Sequence, residues 1–191
     1  MRRGANDRGS RLGATLLAAA SLTLGAPAAG ASPIEEVRAG ALIQGLGPFS
    51  PNKEDGVAIN GELLFRSVAD FGEWGTLRPN LGLNIATAEF ATSSIYGGLL
   101  WQADISRRVF IDFGAGLAIH DGETSFNPPD PLINERNYLG CRAEFYLQAD
   151  LGYRLSERLS AMIHVDHMSN AGICSENEGL DNTGFRLGYQ F

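Results

Sequence analysis

Residues 161–191, AMIHVDHMSNAGICSENEGLDNTGFRLGYQF, decide how this chain is read. Two alternating runs flank a connection rich in Gly, Asn and Glu. In a β-strand residues i and i+2 point to the same side. Ala161, Ile163, Val165, His167 and Ser169 therefore share one face, opposed by Ser160, Met162, His164, Asp166 and Met168. After the connection, Asp181, Thr183, Phe185, Leu187, Tyr189 and Phe191 form a second such set, opposed by Arg186 and Gln190. An imidazole and a hydroxyl thus end an apolar stripe where another Leu or Val would be ordinary.

Working outward, period two recurs and no useful 3.6-residue pattern appears after the N-terminal segment. Apolar or small residues alternate with polar ones from Val57, from Leu77, from Ile95, from Val109 and from Leu139 through Leu155. With a first strand over 36–44 this makes eight strands. Their connections differ in length: 106–108 and 156–158 are tight turns, whereas 48–56, 87–94, 121–138 and 171–180 are long. An even strand number with short turns at one end and long loops at the other predicts an all-β fold, an eight-stranded antiparallel transmembrane β-barrel of the bacterial outer membrane. Both termini then lie at the periplasmic end. The rival is a soluble lipocalin-like barrel with an apolar cavity. Two features favour the membrane barrel. The polar face mixes both signs (Arg142, Glu144, Asp150, Arg154, Asp166, Arg186), as a narrow lumen of pairing side chains requires. The chain also closes on an alternation ending in Phe191, which resembles the assembly signal of outer-membrane proteins.

The N-terminus has a different character. Arg2, Arg3, Arg8 and Arg11 precede an Ala- and Leu-rich run over 12–24 and the small residues Ala29-Gly30-Ala31, the layout of a secretory signal peptide. The expected division is a signal over 1–31 and one domain over 32–191. The formal net charge is −7, and removing a segment with four arginines and one aspartate makes it more negative, which argues against nucleic acid as a partner. No later stretch has the 18 or so consecutive apolar residues of a membrane helix, a test that a barrel passes unseen. Cys141 and Cys174, two cysteines in an exported chain, are disulfide candidates, with two unpaired thiols as the alternative.

In the barrel reading His167, Ser169 and Asp181 all face outward, toward lipid. They fall at the rim, because His167 and Ser169 come just before the 171–180 loop and Asp181 just after it. Ionisable groups on the lipid face cost least there, roughly 0–1 kcal/mol against a few at the midplane. A serine, a histidine and a carboxylate converging on neighbouring antiparallel strands are the parts of an acyl-transfer triad. Alone, a His-x-Ser on a strand is weak evidence, since interfacial His and Ser are common as solvated rim residues.

The segment HMSNAG (167–172), followed by an Asn/Glu-Gly-Leu-acid run and a barrel-ending strand, resembles the signature of the PagL-type lipid A 3-O-deacylases. The match is tight over 167–181 and looser elsewhere. The resemblance implies an outer-membrane ester hydrolase with a lipid-facing Ser-His-Glu triad, acting on lipid A of lipopolysaccharide without metal, nucleotide or other cofactor. It makes Ser169 the nucleophile, His167 the base and Asp181 the orienting acid, with Asn170 and the Gly172 backbone lining the oxyanion hole. The family's acid is Glu, one methylene longer, so Glu176 or Glu178 is an alternative; spacing and parity favour Asp181. Cys141 and Cys174 both fall at the outer end, where a bridge would brace the loop over the site. His120 and His164 are expected in the lumen's hydrogen-bond network, without Cys/His spacing for a metal. Expected partners are lipid A and outer-membrane lipid, with the chain a monomer or homodimer. The other readings are a structural or adhesion barrel of the OmpA/OmpX kind and a phospholipid esterase of the same fold.

Overall fold

The computed structural model describes residues 32–191, and the segment read as a signal peptide lies outside the described residues. Eight long strands alternate up and down: β1 (Ile34–Gln44), β2 (Val57–Phe65), β4 (Thr76–Ala86), β5 (Ser94–Asp104), β6 (Val109–His120), β7 (Ala143–Arg154), β8 (Leu159–Ser169) and β9 (Leu180–Gln190). Between β2 and β4 the chain adds a two-residue strand, β3 (Ala69–Asp70), and a short 3-10 turn at Gly72–Trp74. Each long strand pairs antiparallel with its sequence neighbour, and the β1–β9 pairing joins the ends. The barrel is therefore closed, which removes the unpaired edges that no spanning sheet can leave in lipid.

Both tight turns fold as the sequence predicts. Ser106 Oγ accepts from the Arg108 and Val109 amides, and Ser156 Oγ does the same for Arg158 and Leu159. The third connection at this end, with β3 in it, is longer, because Asp70, Gly72 and Gly75 build a turn in place of a hairpin. At the other end the expected strand from Leu139 starts only at Ala143. Leu139 instead turns inward, buried with Tyr96, Ala118, Tyr146, Met168 and Leu180 in an apolar layer that closes the top of the lumen.

The alternation sorts side chains as a membrane barrel requires. Leu83, Leu99, Phe113, Leu117, Leu147, Leu151, Phe185 and Leu187 stand outward and exposed. The charged residues in the middle of the strands, among them Arg38, Glu62, Asp112, Asp150, Asp166 and Arg186, are the buried ones. Arg38 Nη1 lies 2.7 Å from Asp112 Oδ2, and Arg186 bridges Glu62 and Asp150. His164 contacts Asp150 Oδ1 at 2.9 Å and Asp166 Oδ2 at 3.1 Å, and the Tyr96 and Tyr146 rings stack at 4.1 Å. This inversion of the soluble pattern disposes of the lipocalin-like reading: the interior is packed with paired charges, not an apolar cavity. Among the described residues no helix is long and apolar enough to cross a membrane.

Candidate active site

His167 and Ser169 are the last outward positions of β8, and the β8–β9 register sets His167 directly opposite Asp181. Parity and register together bring the three side chains into contact. His167 Nδ1 lies 2.6 Å from Asp181 Oδ1, and its Nε2 lies 3.0 Å from Ser169 Oγ. An ionised carboxylate can only accept, so Nδ1 carries the ring proton and Nε2 of the neutral imidazole is left to accept from the Ser169 hydroxyl. A hydroxyl so held is poised to lose its proton to the ring as it attacks an electrophilic carbon.

The expectation that all three face lipid needs a correction. Asp181 has outward parity but is only 1% exposed, because the β1–β2 loop folds over it. The Phe49 and Ser50 amides donate to Asp181 Oδ2 at 2.7 and 3.0 Å, and Ser50 Oγ accepts from the Asp181 amide at 2.9 Å. The Phe49 ring meets His167 edge-on, with centroids 5.4 Å apart. A buried carboxylate needs such donors. Glu176 and Glu178 are elsewhere: Glu178 pairs with Lys53 and accepts from the Tyr138 amide, and Glu176 offers its backbone carbonyl to Asn170.

Asn170 and Gly172 are not brought to Ser169 as hydrogen-bond donors. Asn170 follows Ser169, so its parity is inward. Its Nδ2 donates to the Leu139 and Glu176 carbonyls, both at 2.6 Å, while its Oδ1 accepts from the Gly172 amide at 2.9 Å and the Cys174 amide at 3.3 Å. In this arrangement the two residues organise the 170–179 loop. That loop is also tied by a Cys141–Cys174 disulfide, Cα to Cα 5.7 Å. His120 Nε2 lies 2.6 Å from the Cys141 carbonyl oxygen, which places this histidine at the top of the lumen.

Two further residues, Gly179 and Gly47, pack against these side chains and carry no sequence signal beyond their position near them. Gly179, at φ +67, packs where a Cβ would stand 3.1 Å from His167 Cε1 and 3.5 Å from Ser169 Cβ. Gly47 lies so close to Asp181 that a Cβ would fall 2.3 Å from the Asp181 Cβ. Glu54, buried under the loops, accepts from the Thr92 amide and hydroxyl, both at 2.8 Å, and from the Asn137 amide at 3.3 Å. Burial pushes its carboxyl above the usual range, and the Thr92 bonds pull back only part of the way. Nearby, hydrogen bonds from Tyr138 and Arg136 hold the Asp130 carboxyl down at about 2.

An apolar groove of about 830 Å³ opens beside His167 and Asp181. Strand register explains its shape. One row across the sheet runs His167, Leu147, Ala115, Leu99, and the next runs Val165, Ala149, Phe113, Trp101, Leu77. The alanines make the floor low between larger neighbours. At the far end Trp101 stacks on Phe113, with its Nε1 donating to the Trp74 carbonyl at 2.7 Å. Among the described residues, no group of three His, Cys, Asp or Glu side chains is placed to hold a metal.

No curated protein sequence matches the chain. The chain is similar in structure to the outer membrane enzyme PagL, with a TM-score of 0.59 at 17% identity over 82% of this chain and 99% of that one. It is also similar to Neisserial surface protein A, with a TM-score of 0.50 at 12% identity over 82% and 96%. At these identities the likenesses show the fold. The family model for lipid A 3-O-deacylase (PagL) matches residues 77–190, more than half of the sequence and all of the strands that carry His167, Ser169 and Asp181. The chain therefore belongs to the lipid A 3-O-deacylase (PagL) family.

Proposed function

We propose that this chain is an outer-membrane serine esterase that removes the 3-O-linked acyl chain of lipid A. The observation that carries the reading is the connected Ser169–His167–Asp181 relay at the mouth of an apolar groove on the membrane-facing wall. Ser169 Oγ attacks the ester carbonyl as its proton passes to His167 Nε2. The ring then gives that proton to the departing sugar 3-oxygen, leaving an acyl-enzyme. Water, deprotonated by the same nitrogen, releases the hydroxy acid and restores the serine. Asp181 keeps the ring in the tautomer with Nδ1 protonated and stabilises the imidazolium formed in each step.

The groove supports the substrate class. From β8 to β4 it crosses four strand spacings, about 19 Å at ~4.8 Å each. Because barrel strands tilt by roughly 35–45°, this row descends from the outer rim toward the bilayer core. An acyl chain lying in it keeps its ester at Ser169 while the sugar stays at the interface. Substrate arrives by lateral diffusion within the leaflet, and export by the N-terminal segment is part of the same proposal.

The test is competition between lipid A and phosphatidylethanolamine in mixed detergent micelles with the refolded 32–191 chain. Release of a 3-hydroxy acid from lipid A is expected. Release of unsubstituted fatty acid from the phospholipid instead would overturn the substrate assignment. A folded barrel that cleaves neither would favour the structural or adhesion reading.

A further inference from the structure

We infer that residues 47–50 of the β1–β2 loop are the positioning clamp of the catalytic acid, built to the length of an aspartate. The inference rests on the catalytic reading of Ser169, His167 and Asp181. It concerns residues that the family match, beginning at 77, does not reach.

Three observations converge. The clamp supplies both hydrogen bonds to the carboxylate oxygen that His167 does not use, from the Phe49 and Ser50 amides. Ser50 Oγ accepts from the Asp181 amide, so clamp and acid are tied in both directions. Gly47 lies against the Asp181 side chain, where a Cβ would stand 2.3 Å from Cβ and 2.4 Å from Oδ2. An acid with one more methylene would carry its carboxylate beyond these donors, and the contact with Gly47 leaves no slack to withdraw. The family resemblance brings Glu to this position, and here the shorter Asp is matched by a loop drawn down onto it. The chemistry asks for this. A carboxylate opposite an imidazole orients the ring only if its own rotamer is fixed, and a misplacement of about 1 Å costs on the order of 10²-fold in rate. Phe49 adds the second half of the device: its amide holds the acid while its ring covers one edge of the imidazole. These are positioning residues acting through Asp181, with no contact to the reacting atoms proposed.

The test is a double-mutant cycle on lipid A in detergent micelles, with Ser169→Ala as control and heat-modifiable migration as the check of folding. Gly47→Ala is expected to lower kcat about 10²-fold with KM within about twofold, and to cost nothing further in an Asp181→Asn background. An equal loss in both backgrounds, or an unchanged kcat, would overturn the clamp. If Gly47→Ala does not fold, Ser50→Ala serves. It is expected to lower kcat about tenfold and to weaken the downfield proton resonance of the His167 Nδ1–H. An unchanged rate and resonance would overturn the inference. An active Ser169→Ala would sink the esterase reading itself, whereas an inactive control with a fully active Gly47→Ala removes only the clamp.

Discussion

Asp181 is the residue on which the site's order depends. It is buried, its two oxygens are fully engaged, and its partners come from two different parts of the chain. Replacing it with Asn keeps the shape but offers His167 an amide that can present its NH₂ to Nδ1, favouring the wrong tautomer. Asp181→Asn is expected to lower kcat by roughly 10²–10⁴-fold with little change in KM, checked by initial rates on lipid A. Asp181→Glu, which looks like a return to the family's residue, is expected to be impaired as well; full activity in that variant would show that the acid's length is not matched to its loop. His167 and Ser169 were legible in the sequence because strand parity is strict, and Asp181 because spacing set it across from them. The clamp was not legible: 47–50 is a turn segment with no periodicity, and its contacts span more than 130 positions along the chain. The partners of the Asn170 amide were not legible for a related reason. Being next to Ser169 fixes its inward parity, and inside the loop its amide finds the Leu139 and Glu176 carbonyls.

At the scale of elements, the outer loops form one cap. Glu54 from the β1–β2 loop takes hydrogen bonds from Thr92 and Asn137 in two other loops, and Lys53 pairs with Glu178 in a fourth. The Cys141–Cys174 bridge closes 33 residues of separation, for which chain entropy gives about 3–4 kcal/mol. Cys141→Ala with Cys174→Ala is therefore expected to loosen the cap before the barrel, seen as faster protease cleavage in 171–180 with unchanged heat-modifiable migration. Acid should act on the cap at another point. Hydrogen bonds from Tyr138 and Arg136 hold the Asp130 carboxyl down at about 2, below the ordinary carboxyl value of about 3.9. A depressed carboxyl stabilises above its unfolded value and loses that contribution as pH falls through the folded one. Pepsin cleavage of the 121–138 loop, taken relative to an unstructured peptide at each pH, should therefore rise as pH drops from about 4 toward 2; a flat ratio across that window would contradict the role of this cluster. The pairing of the two cysteines was legible from their shared end of the barrel. The late start of β7 was not, because Leu139 and Cys141 continue the alternation of the strand while tertiary packing draws Leu139 inward.

The whole molecule is an inverted protein, apolar outside and charged within. Its strands were legible because both requirements impose period two on every one of them, whereas β3 and the Gly72–Trp74 turn are too short to show a period. The interior is a filled lumen in which Arg38 and Arg186 bind Glu36, Glu62, Asp112 and Asp150. Arg186→Ala would take the nearest cation from Glu62 and Asp150 and leave them only the more distant Arg38, and losing one partner of a buried pair costs about 3–5 kcal/mol. The expected result is a lower denaturation midpoint of the refolded barrel in detergent, with the slope unchanged; an unaltered midpoint would show that the lumenal network does not hold the barrel together. This closed wall carries Ser169 and His167 on its outer face, with Asp181 behind them under the β1–β2 loop, in the arrangement proposed to cleave lipid A. The most direct measurement of that claim is mass spectrometry of purified lipid A after incubation with the refolded chain and, in parallel, with Ser169→Ala. Loss of one 3-hydroxyacyl chain is expected with the unmodified protein only. The same loss with Ser169→Ala, or no loss with either when both migrate as folded barrels, would contradict it.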